Sequence, residues 1–361
     1  MPPVTRRTAL AAGLSLLTGA ACAAAPPGLK MLAGRHGLVF GAAIEPQNVE
    51  SDPAFARLVR DQCGLLVAEN ALKWLALRPS PDRFDFDAAD RVAAIARAQG
   101  ARLHGHCLVW HEAMPDWLDA DLGPGDAERL LVGHIDTVVR RYAGLALSWD
   151  VVNEAVERND RRPDGLRLSP WLRALGPGYL ETAFHAAHAA DPAARLVLND
   201  YGLEYDDEPW MVEKRGTMLD LLRGLVRRRV PIHALGVQGH LIGHRAPAYG
   251  RGLTDFLRAV ADLGLEIHVS ELDVDDQKVA GPVEARDRVV AEHYARFLEA
   301  VLHQPAVTRV VTWGLSDRYT SKTFLAPRAD GAPVRPLPFD ADLEPKLAAR
   351  ALAGVIAGRR A

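Results

Sequence analysis

Short β-branched or apolar runs recur eight times along this chain, and longer segments with helical spacing separate them. The runs lie at residues 38–44, 65–68, 102–108, 148–153, 195–199, 234–238, 266–271 and 309–313. Helical spacing is found at residues 87–99, 126–142, 253–263 and 283–302, with Asp52 and Asp126 as predicted N-caps. Strands that alternate with helices pair in parallel, so the sequence predicts a single-domain α/β fold, the (β/α)8 TIM barrel.

A doubly wound open sheet is the alternative architecture. Such a sheet binds its ligand where the strand order reverses, often through a glycine-rich phosphate loop after the first strand. Here the first strand leads into residues 40–45 (FGAAIE), and the chain contains neither a GxGxxG motif nor a P-loop. The barrel is therefore the favoured interpretation.

The first 25 residues are predicted to be an export signal rather than part of the fold. Arg6 and Arg7 precede an apolar run at residues 9–17, which is too short to span a bilayer, and small residues follow. The segment TRRTAL resembles a twin-arginine signal, but Ala9 stands where such signals usually carry Phe, so the general secretory route remains open. We expect a mature domain at residues 26–361, in the periplasm or secreted from a bacterium.

Composition excludes two classes of partner. The 361 residues are 48% apolar and carry a net charge of −3. An apolar fraction of this size can form a large core. A net charge this close to zero does not favour electrostatic binding to nucleic acid or to a membrane surface. We expect no membrane span and a monomer.

Polar or aromatic side chains follow all eight predicted strands. They are Glu45, Glu69, Asn70, His106, Trp110, His111, Asn153, Glu154, Asn199, Asp200, Tyr201, Gln238, His240, Glu271, Asp273, Trp313 and Asp317. Any one of them alone would more often be a cap or a loop residue. In a barrel, however, the strand ends converge on one rim, where active sites lie, so the whole set predicts a site there.

Glu154 and Glu271 are the most informative members of this set, because each closes a β-branched run. An ionised carboxylate is costly to bury without a purpose. Two facing carboxylates can divide the acid and nucleophile roles of glycoside hydrolysis between them, and indole rings can contact sugars. Trp117 and Trp171 are instead predicted to pack in the core.

Metal chemistry is the rival class, with His104, His106 and His111, or His240 and His244, as possible ligands. The chain contains no HExxH motif, no cysteine cluster and none of the usual zinc spacings. A GxSxG nucleophile elbow is also absent from the sequence. We therefore predict neither a metal nor a cofactor.

Ordered motifs span residues 40–356. They are ENALKW (69–74), GHCLVWH (105–111), WDVVNEA (149–155), NDYG (199–202), GVQGHL (236–241), SELD (270–273), TWGLSD (312–317) and FDADLEPK (339–346). They resemble the ENxMKW, GHTLVWH, WDVVNEA, NDYN, GLQSHL, TELD, WGxxD and FDxxxxPK motifs of family 10 glycoside hydrolases, the endo-β-1,4-xylanases with a (β/α)8 barrel.

The resemblance implies a retaining endo-1,4-β-xylanase that hydrolyses xylan or xylo-oligosaccharides by double displacement. It makes Glu154 the acid/base and Glu271 the nucleophile, with carboxyl groups about 5–5.5 Å apart. The supporting residues that it implies are His240, Asp273, Gln238 and Asn153. The substrate-binding residues are Glu69, Asn70, Lys73, His106, Trp110, Tyr201 and Trp313.

Two positions depart from the family pattern. Ala113 stands where the WHxQxP motif carries Gln, and Ser321 stands where a Trp follows WGxxD. In the family these two groups wall the glycone side of the cleft. We therefore expect a more open glycone site that grips plain xylose less firmly and accepts substituents.

Two other functions remain open at this point. One is a related barrel β-glycanase that acts on β-glucan, cellulose or short decorated oligosaccharides. The other is a protein that binds glycan without cleaving it. The presence of Glu154, Glu271, His240 and Asp273 argues against the second of these alternatives.

Overall fold

The computed structural model describes residues 28–118 and 122–359 as parallel strands surrounded by helices. The strands are β1 (Val39–Ile44), β2 (Leu65–Ala68), β3 (Arg102–Gly105), β4 (Ala146–Asn153), β5 (Arg195–Asp200), β6 (Ala234–Val237), β7 (His240–Ile242), β8 (Glu266–Asp275) and β9 (Val307–Thr312). The helices are α1 (Leu29–Arg35), α2 (Pro46–Ser51), α3 (Pro53–Gln62), α4 (Trp74–Leu77), α5 (Asp87–Gln99), α6 (Pro124–Arg141), α7 (Pro170–Leu175), α8 (Tyr179–Ala190), α9 (Pro209–Arg227), α10 (Arg251–Ala261), α11 (Val283–Leu302), α12 (Lys322–Leu325) and α13 (Leu347–Gly358). The predicted export signal at residues 1–25 lies outside the described residues.

The strands close into a ring in which every pair is parallel. Neighbours along the chain pair from β1 to β6, β6 pairs with β8, β8 with β9, and β9 returns to β1. An open sheet would leave two edge strands unpaired, whereas this ring leaves none. The predicted (β/α)8 barrel is confirmed. Within the described parts of the chain, no helix is both long and apolar enough to cross a membrane.

Helix boundaries follow local capping chemistry. The carboxylate of Asp52 accepts hydrogen bonds from the backbone N–H groups of Ala54 (2.9 Å) and Phe55 (3.1 Å), which confirms its prediction as an N-cap. The prediction for Asp126 is wrong, because α6 already begins at Pro124 and Asp126 lies in its first turn. Proline suits the first helical position, where its missing N–H costs nothing.

The segment after β6 adds a short strand to the rim. Strand β7 runs parallel to the last residues of β8, and the register places His240 beside Asp273. Strand β8 consequently extends to Asp275, so Glu271 lies within the strand and not at its end, as the sequence suggested. This pairing fixes the backbone of both rim residues.

The main apolar core lies between the barrel and the helices, and Trp171 is buried within it while Trp117 packs against it, as predicted. A smaller apolar cluster is formed by Ala43, Leu65, Val67 and Val311 of β1, β2 and β9. The barrel strands also carry buried polar side chains. They include His104 of β3, Asp150 of β4, Asn199 of β5, Ser270 of β8 and Arg309 of β9. The polar groups position the rim residues described next.

Candidate active site

A cleft of about 430 Å³ opens at the carboxyl ends of the barrel strands. Both Glu154 and Glu271 line it. The other predicted site residues along its wall are Lys73, His106, Trp110, Asn153, Tyr201, Gln238, His240 and Trp313. The structure thus brings together side chains that lie up to 240 residues apart in the chain.

Glu271 is almost fully buried, at 4% exposure, yet its carboxylate is well bound. Its Oε1 accepts a hydrogen bond from the Asn199 side-chain amide at 2.7 Å, and its Oε2 lies 3.1 Å from His240 Nε2. Burial by itself raises the pKa of Glu271, but the contact with His240 and the charge of His106 outweigh it, so the net shift is downward. Glu271 is therefore held as a carboxylate, the form that a nucleophile needs.

His240 connects Glu271 to a second buried acid. Its Nδ1 lies 3.0 Å from Asp273 Oδ1, on the side of the ring opposite Glu271. Burial disfavours the charged imidazole, but Asp273 and Glu271 together raise the pKa of His240 to about 10. His240 thus lies between two carboxylates, both of which favour its charged form.

Glu154 follows β4 directly and adopts a left-handed backbone, with φ at +57°. This conformation is costly for a residue with a side chain, so the surrounding contacts must hold it. The Glu154 N–H donates to the Asn199 carbonyl at 2.8 Å, and the Glu154 carbonyl accepts from Arg167 Nε at 2.8 Å. The carboxylate Oε1 accepts from Gln238 Nε2 at 3.1 Å and from Asn153 Nδ2 at 3.3 Å.

Asn199 links the two glutamates; the sequence placed it at the predicted rim but gave it no catalytic, supporting or binding role. Its side-chain N–H₂ donates to Asn153 Oδ1 at 2.9 Å as well as to Glu271, and its Oδ1 accepts from Ser270 Oγ at 2.6 Å. A Cβ atom at Gly236 would lie 2.2 Å from Asn199 Oδ1, so the glycine makes room for this amide. Two sequence signals pointed to Asn199: its position at the end of the fifth strand and its place as the first residue of the NDYG motif.

Four of the five histidines considered as metal ligands lie within 4.0 Å of a carboxylate. His104 Nε2 and His106 Nδ1 both lie 2.9 Å from Asp150 Oδ2, and His111 Nδ1 lies 3.9 Å from Glu154 Oε2. In the part of the chain that the structure describes, no group of three or more His, Cys, Asp or Glu side chains is arranged to hold a metal ion. His106 is fully buried, which opposes its charged form, but Cys107, Asp150 and Glu271 raise its pKa well above the ordinary value.

Four of the predicted binding residues group at one wall of the site: Asn70, Lys73, Trp110 and Trp313. Lys73 Nζ lies 5.1 Å from the ring centre of Trp110 and 5.8 Å from that of Trp313, and it donates to Asn70 Oδ1 at 2.9 Å. Asn70 in turn donates to Glu45 at 2.6 Å. An ammonium group between two indoles presents both charge and apolar faces to a ligand.

Tyr201 follows β5, which lies between β4 and β8 in the ring. It is therefore on the side of the cleft opposite Lys73, Trp110 and Trp313, which follow β2, β3 and β9. Its hydroxyl donates to Glu157 Oε2 at 3.0 Å and accepts from Arg167 Nη2 at 2.9 Å. Glu204, which the sequence did not single out, also lines the cleft, and its carboxylate accepts from the backbone N–H of Gly239 at 3.0 Å. Tyr201 and Glu204 thus brace the loops on that side.

Glu69 is a buried acid beside the cleft, at 9% exposure. Burial and the nearby charge of Glu45 raise its pKa from the ordinary 4.5 to about 7, although a hydrogen bond with Ser321 and the charge of Lys73 oppose the shift. Ser321 is one of the two departures from the family pattern. The other, Ala113, has φ at +49°, and its carbonyl accepts from the Leu75 N–H at 2.8 Å.

The raised pKa of Glu69 predicts a pH-dependent cost to stability. The folded state binds the Glu69 proton more tightly than the unfolded state. The protonated carboxyl therefore adds to the free energy of unfolding below pH 4.5, and this stabilisation is lost as pH rises through about 7. Glu69→Gln cannot ionise, so we expect its free energy of unfolding to exceed that of the wild type by about 1–3 kcal/mol near pH 8, and to differ little near pH 4. Urea unfolding at pH 4 and pH 8 measures the free energy of unfolding of both proteins, with Glu284→Gln, at an exposed glutamate, as the control. The prediction is contradicted if the difference between Glu69→Gln and the wild type does not depend on pH, or if Glu284→Gln shows the same difference.

Comparisons with known proteins agree with this geometry. The model of the family described as "Glycosyl hydrolase family 10" matches residues 28–355. Endo-1,4-beta-xylanase B of Paenibacillus barcinonensis is 33% identical over 331 residues, which cover 85% of this chain and 92% of that protein. Beta-1,4-xylanase of Dictyoglomus thermophilum is 34% identical over 318 residues, which cover 86% of each chain.

A solved structure shows the same architecture. Xylanase 10B from Thermotoga petrophila RKU-1, in complex with xylobiose, superimposes with a TM-score of 0.81 at 29% identity and covers 91% of this chain and 97% of that one. The family match over nearly the whole described chain confirms the resemblance seen in the sequence motifs. The protein is a member of glycosyl hydrolase family 10.

Proposed function

We propose that the protein is an endo-1,4-β-xylanase that hydrolyses xylan and xylo-oligosaccharides with retention of anomeric configuration. The single observation that carries this proposal is that two glutamates in one cleft differ in their hydrogen-bond partners and in their exposure. Glu271 is held ionised by His240 and Asn199, while Glu154, whose side chain is 13% exposed against 6% for Glu271, contacts only neutral amides at Oε1. The names of the relatives support xylan as the substrate.

In the first step of this mechanism, a Glu271 oxygen attacks the anomeric carbon while the Glu154 carboxyl donates its proton to the glycosidic oxygen. The bond from the anomeric carbon to that oxygen breaks, the leaving sugar departs neutral, and an ester joins Glu271 to the remaining sugar. In the second step Glu154, now ionised, takes a proton from water. The water oxygen attacks the anomeric carbon, the ester breaks and Glu271 regains its charge.

The supporting residues have distinct tasks in this proposal. Asn153 presents its amide between the two glutamates and would bind the sugar 2-hydroxyl at the cleavage point. Gln238, 3.1 Å from Glu154 Oε1, orients the acid/base. Lys73, with Trp110 and Trp313 on either side, would bind the glycone together with Glu69, Asn70 and His106.

Product analysis tests the substrate class. We expect soluble oligosaccharides from xylan and little release from cellulose, with Glu271→Ala measured beside the wild type. Release from cellulose or mixed-linkage β-glucan at a rate equal to that from xylan would favour the alternative β-glycanase. Equal release by Glu271→Ala and the wild type would overturn the nucleophile assignment, and binding of xylan without any release would support a glycan-binding protein.

Ser321 and Ala113 predict tolerance of decorated substrates. A serine and an alanine occupy less volume than the indole and amide of the family pattern, so substituted xylo-oligosaccharides should enter the glycone side more readily. We expect kcat/KM on substituted substrates to equal or exceed that on plain ones, and Ser321→Trp to shift the ratio toward the plain substrates by about 10-fold. A strong preference of the wild type for plain oligosaccharides would contradict the prediction.

Export, the domain boundary and the monomeric state rest on the sequence alone and remain part of this proposal. The Arg6-Arg7 pair, the short apolar run and the small residues up to position 25 support export and a mature domain at residues 26–361. The mass of the protein recovered from the periplasm or medium measures the cleavage site, and sedimentation measures the oligomeric state.

A further inference from the structure

Lys322, at the start of α12, extends the ion-pair chain behind Glu271. Its Nζ lies 3.3 Å from Asp273 Oδ2, and its side chain is only 19% exposed. Asp273 is 1% exposed and uses its other oxygen toward His240, which in turn contacts Glu271. Four side chains from β7, β8 and α12 thus alternate in charge over three contacts of 3.0–3.3 Å.

Asp273 depends on these two cations. Within the described part of the chain, neither of its buried oxygens receives a well-directed hydrogen bond, and the cations within 4.0 Å are His240 and Lys322. The charge of Asp273 in turn raises the pKa of Lys322 in spite of burial. Glu271 has a second cation in His106, at 4.0 Å, whereas Asp273 would share His240 with Glu271 and have no cation of its own if Lys322 were absent.

The other titratable groups around this chain do not replace Lys322. Those that act on Glu271, Asp273 or Lys322 are His106 of the loop after β3, Asp150 of β4, Glu69 after β2, Asp275 of β8 and Tyr294 of α11. His106 lies 2.9 Å from Asp150 and 4.0 Å from Glu271 but does not reach Asp273, and the remaining groups are acids or a neutral phenol. Removal of Lys322 would therefore leave the cluster more negative.

We propose that Lys322 is a positioning residue for the reaction: it neutralises Asp273, so that Asp273 and Glu271 can both stay ionised on the two sides of His240. This inference rests on the proposed role of Glu271 as nucleophile. The proposal gives Lys322, in the segment after β9, the task of balancing the charge of Asp273. Lys322 directly follows Ser321, the position at which the family pattern has a Trp. Lys322 acts through Asp273 and His240 and is not itself a catalytic residue.

The pH profile of kcat/KM on a soluble xylo-oligosaccharide tests the proposal. Loss of a nearby positive charge makes a carboxylate easier to protonate, so Lys322→Met should move the acidic limb of the profile upward by about 0.5–1 pH unit. Lys322→Arg keeps the charge and should leave the limb close to that of the wild type. Lys278→Met, which removes an exposed lysine after β8, is the matched control and should leave the limb in place.

The outcomes separate this proposal from the function on which it rests. A limb that stays in place in Lys322→Met, with a thermal unfolding midpoint close to that of the wild type, overturns the role of Lys322. If Lys322→Met does not fold, Lys322→Gln is measured in the same way with the same criterion. Retained activity in Glu271→Ala instead overturns the assignment of Glu271 as nucleophile, on which this proposal rests, whatever the profile of the Lys322 variants.

Discussion

Glu271→Ala is expected to lower kcat/KM on xylo-oligosaccharides by about 10⁴-fold or more. The variant removes the atom that attacks the anomeric carbon, and among the described residues that line the cleft no other carboxylate contacts both His240 and Asn199. Azide can enter the space left by the carboxylate and attack the sugar directly. The glycosyl azide formed should therefore have the α configuration, inverted relative to the β-linked substrate.

Glu284→Ala, which removes an exposed glutamate from the start of α11, is the matched control and should keep the wild-type rate. Circular dichroism and thermal unfolding establish that Glu271→Ala is folded. A folded Glu271→Ala with more than about a tenth of the wild-type kcat/KM would contradict the assignment.

Glu154→Ala is expected to show a loss of activity that depends on the leaving group. Xylan needs a proton on the departing oxygen, so kcat/KM should fall by about 10²–10⁴-fold. An aryl β-xylobioside with an acidic phenol needs no proton, so its first step should keep most of its rate. Alanine retains the Cβ atom, so the backbone strain at φ +57° is the same in the variant as in the wild type. The difference in rate loss between xylan and the aryl glycoside therefore measures the effect of the carboxyl group.

Azide distinguishes Glu154→Ala from Glu271→Ala. With Glu154 removed, the ester on Glu271 still forms, and azide should accelerate its breakdown to a β-glycosyl azide. The exposed control Glu284→Ala should give no azide product. Equal losses on xylan and on the activated aryl glycoside, with no effect of azide, would show that Glu154 is not the acid/base.

The barrel was predictable from the sequence because its signal is repeated. Each strand run is short and ambiguous alone, but eight of them in alternation with helical spacing allow few architectures. The convergence of Glu154 and Glu271 followed from parallel pairing, since parallel strand ends meet at one rim. The helix boundary at α6 was predicted wrongly: α6 begins two residues before Asp126, because Pro124 can start a helix as well as an aspartate can cap one.

Other parts of the site depend on tertiary contacts that leave no local pattern. Strand β7 is only three residues long and exists through its pairing with the end of β8, so the register of His240 with Asp273 could not be read from either segment. Asn199 looked like a strand-end polar residue until its amide was seen between Asn153 and Glu271. Lys322 reaches Asp273 across 49 residues of chain, and no spacing rule connects them.

The anomeric configuration of the first product tests the central claim most directly. Proton NMR during the first minutes of hydrolysis of a xylo-oligosaccharide distinguishes the newly released α and β reducing ends before mutarotation mixes them. Two displacements at the same carbon, first by Glu271 and then by water, predict that the β-anomer appears first. Initial release of the α-anomer would mean a single displacement by water and would contradict the assignment of Glu271 as the nucleophile.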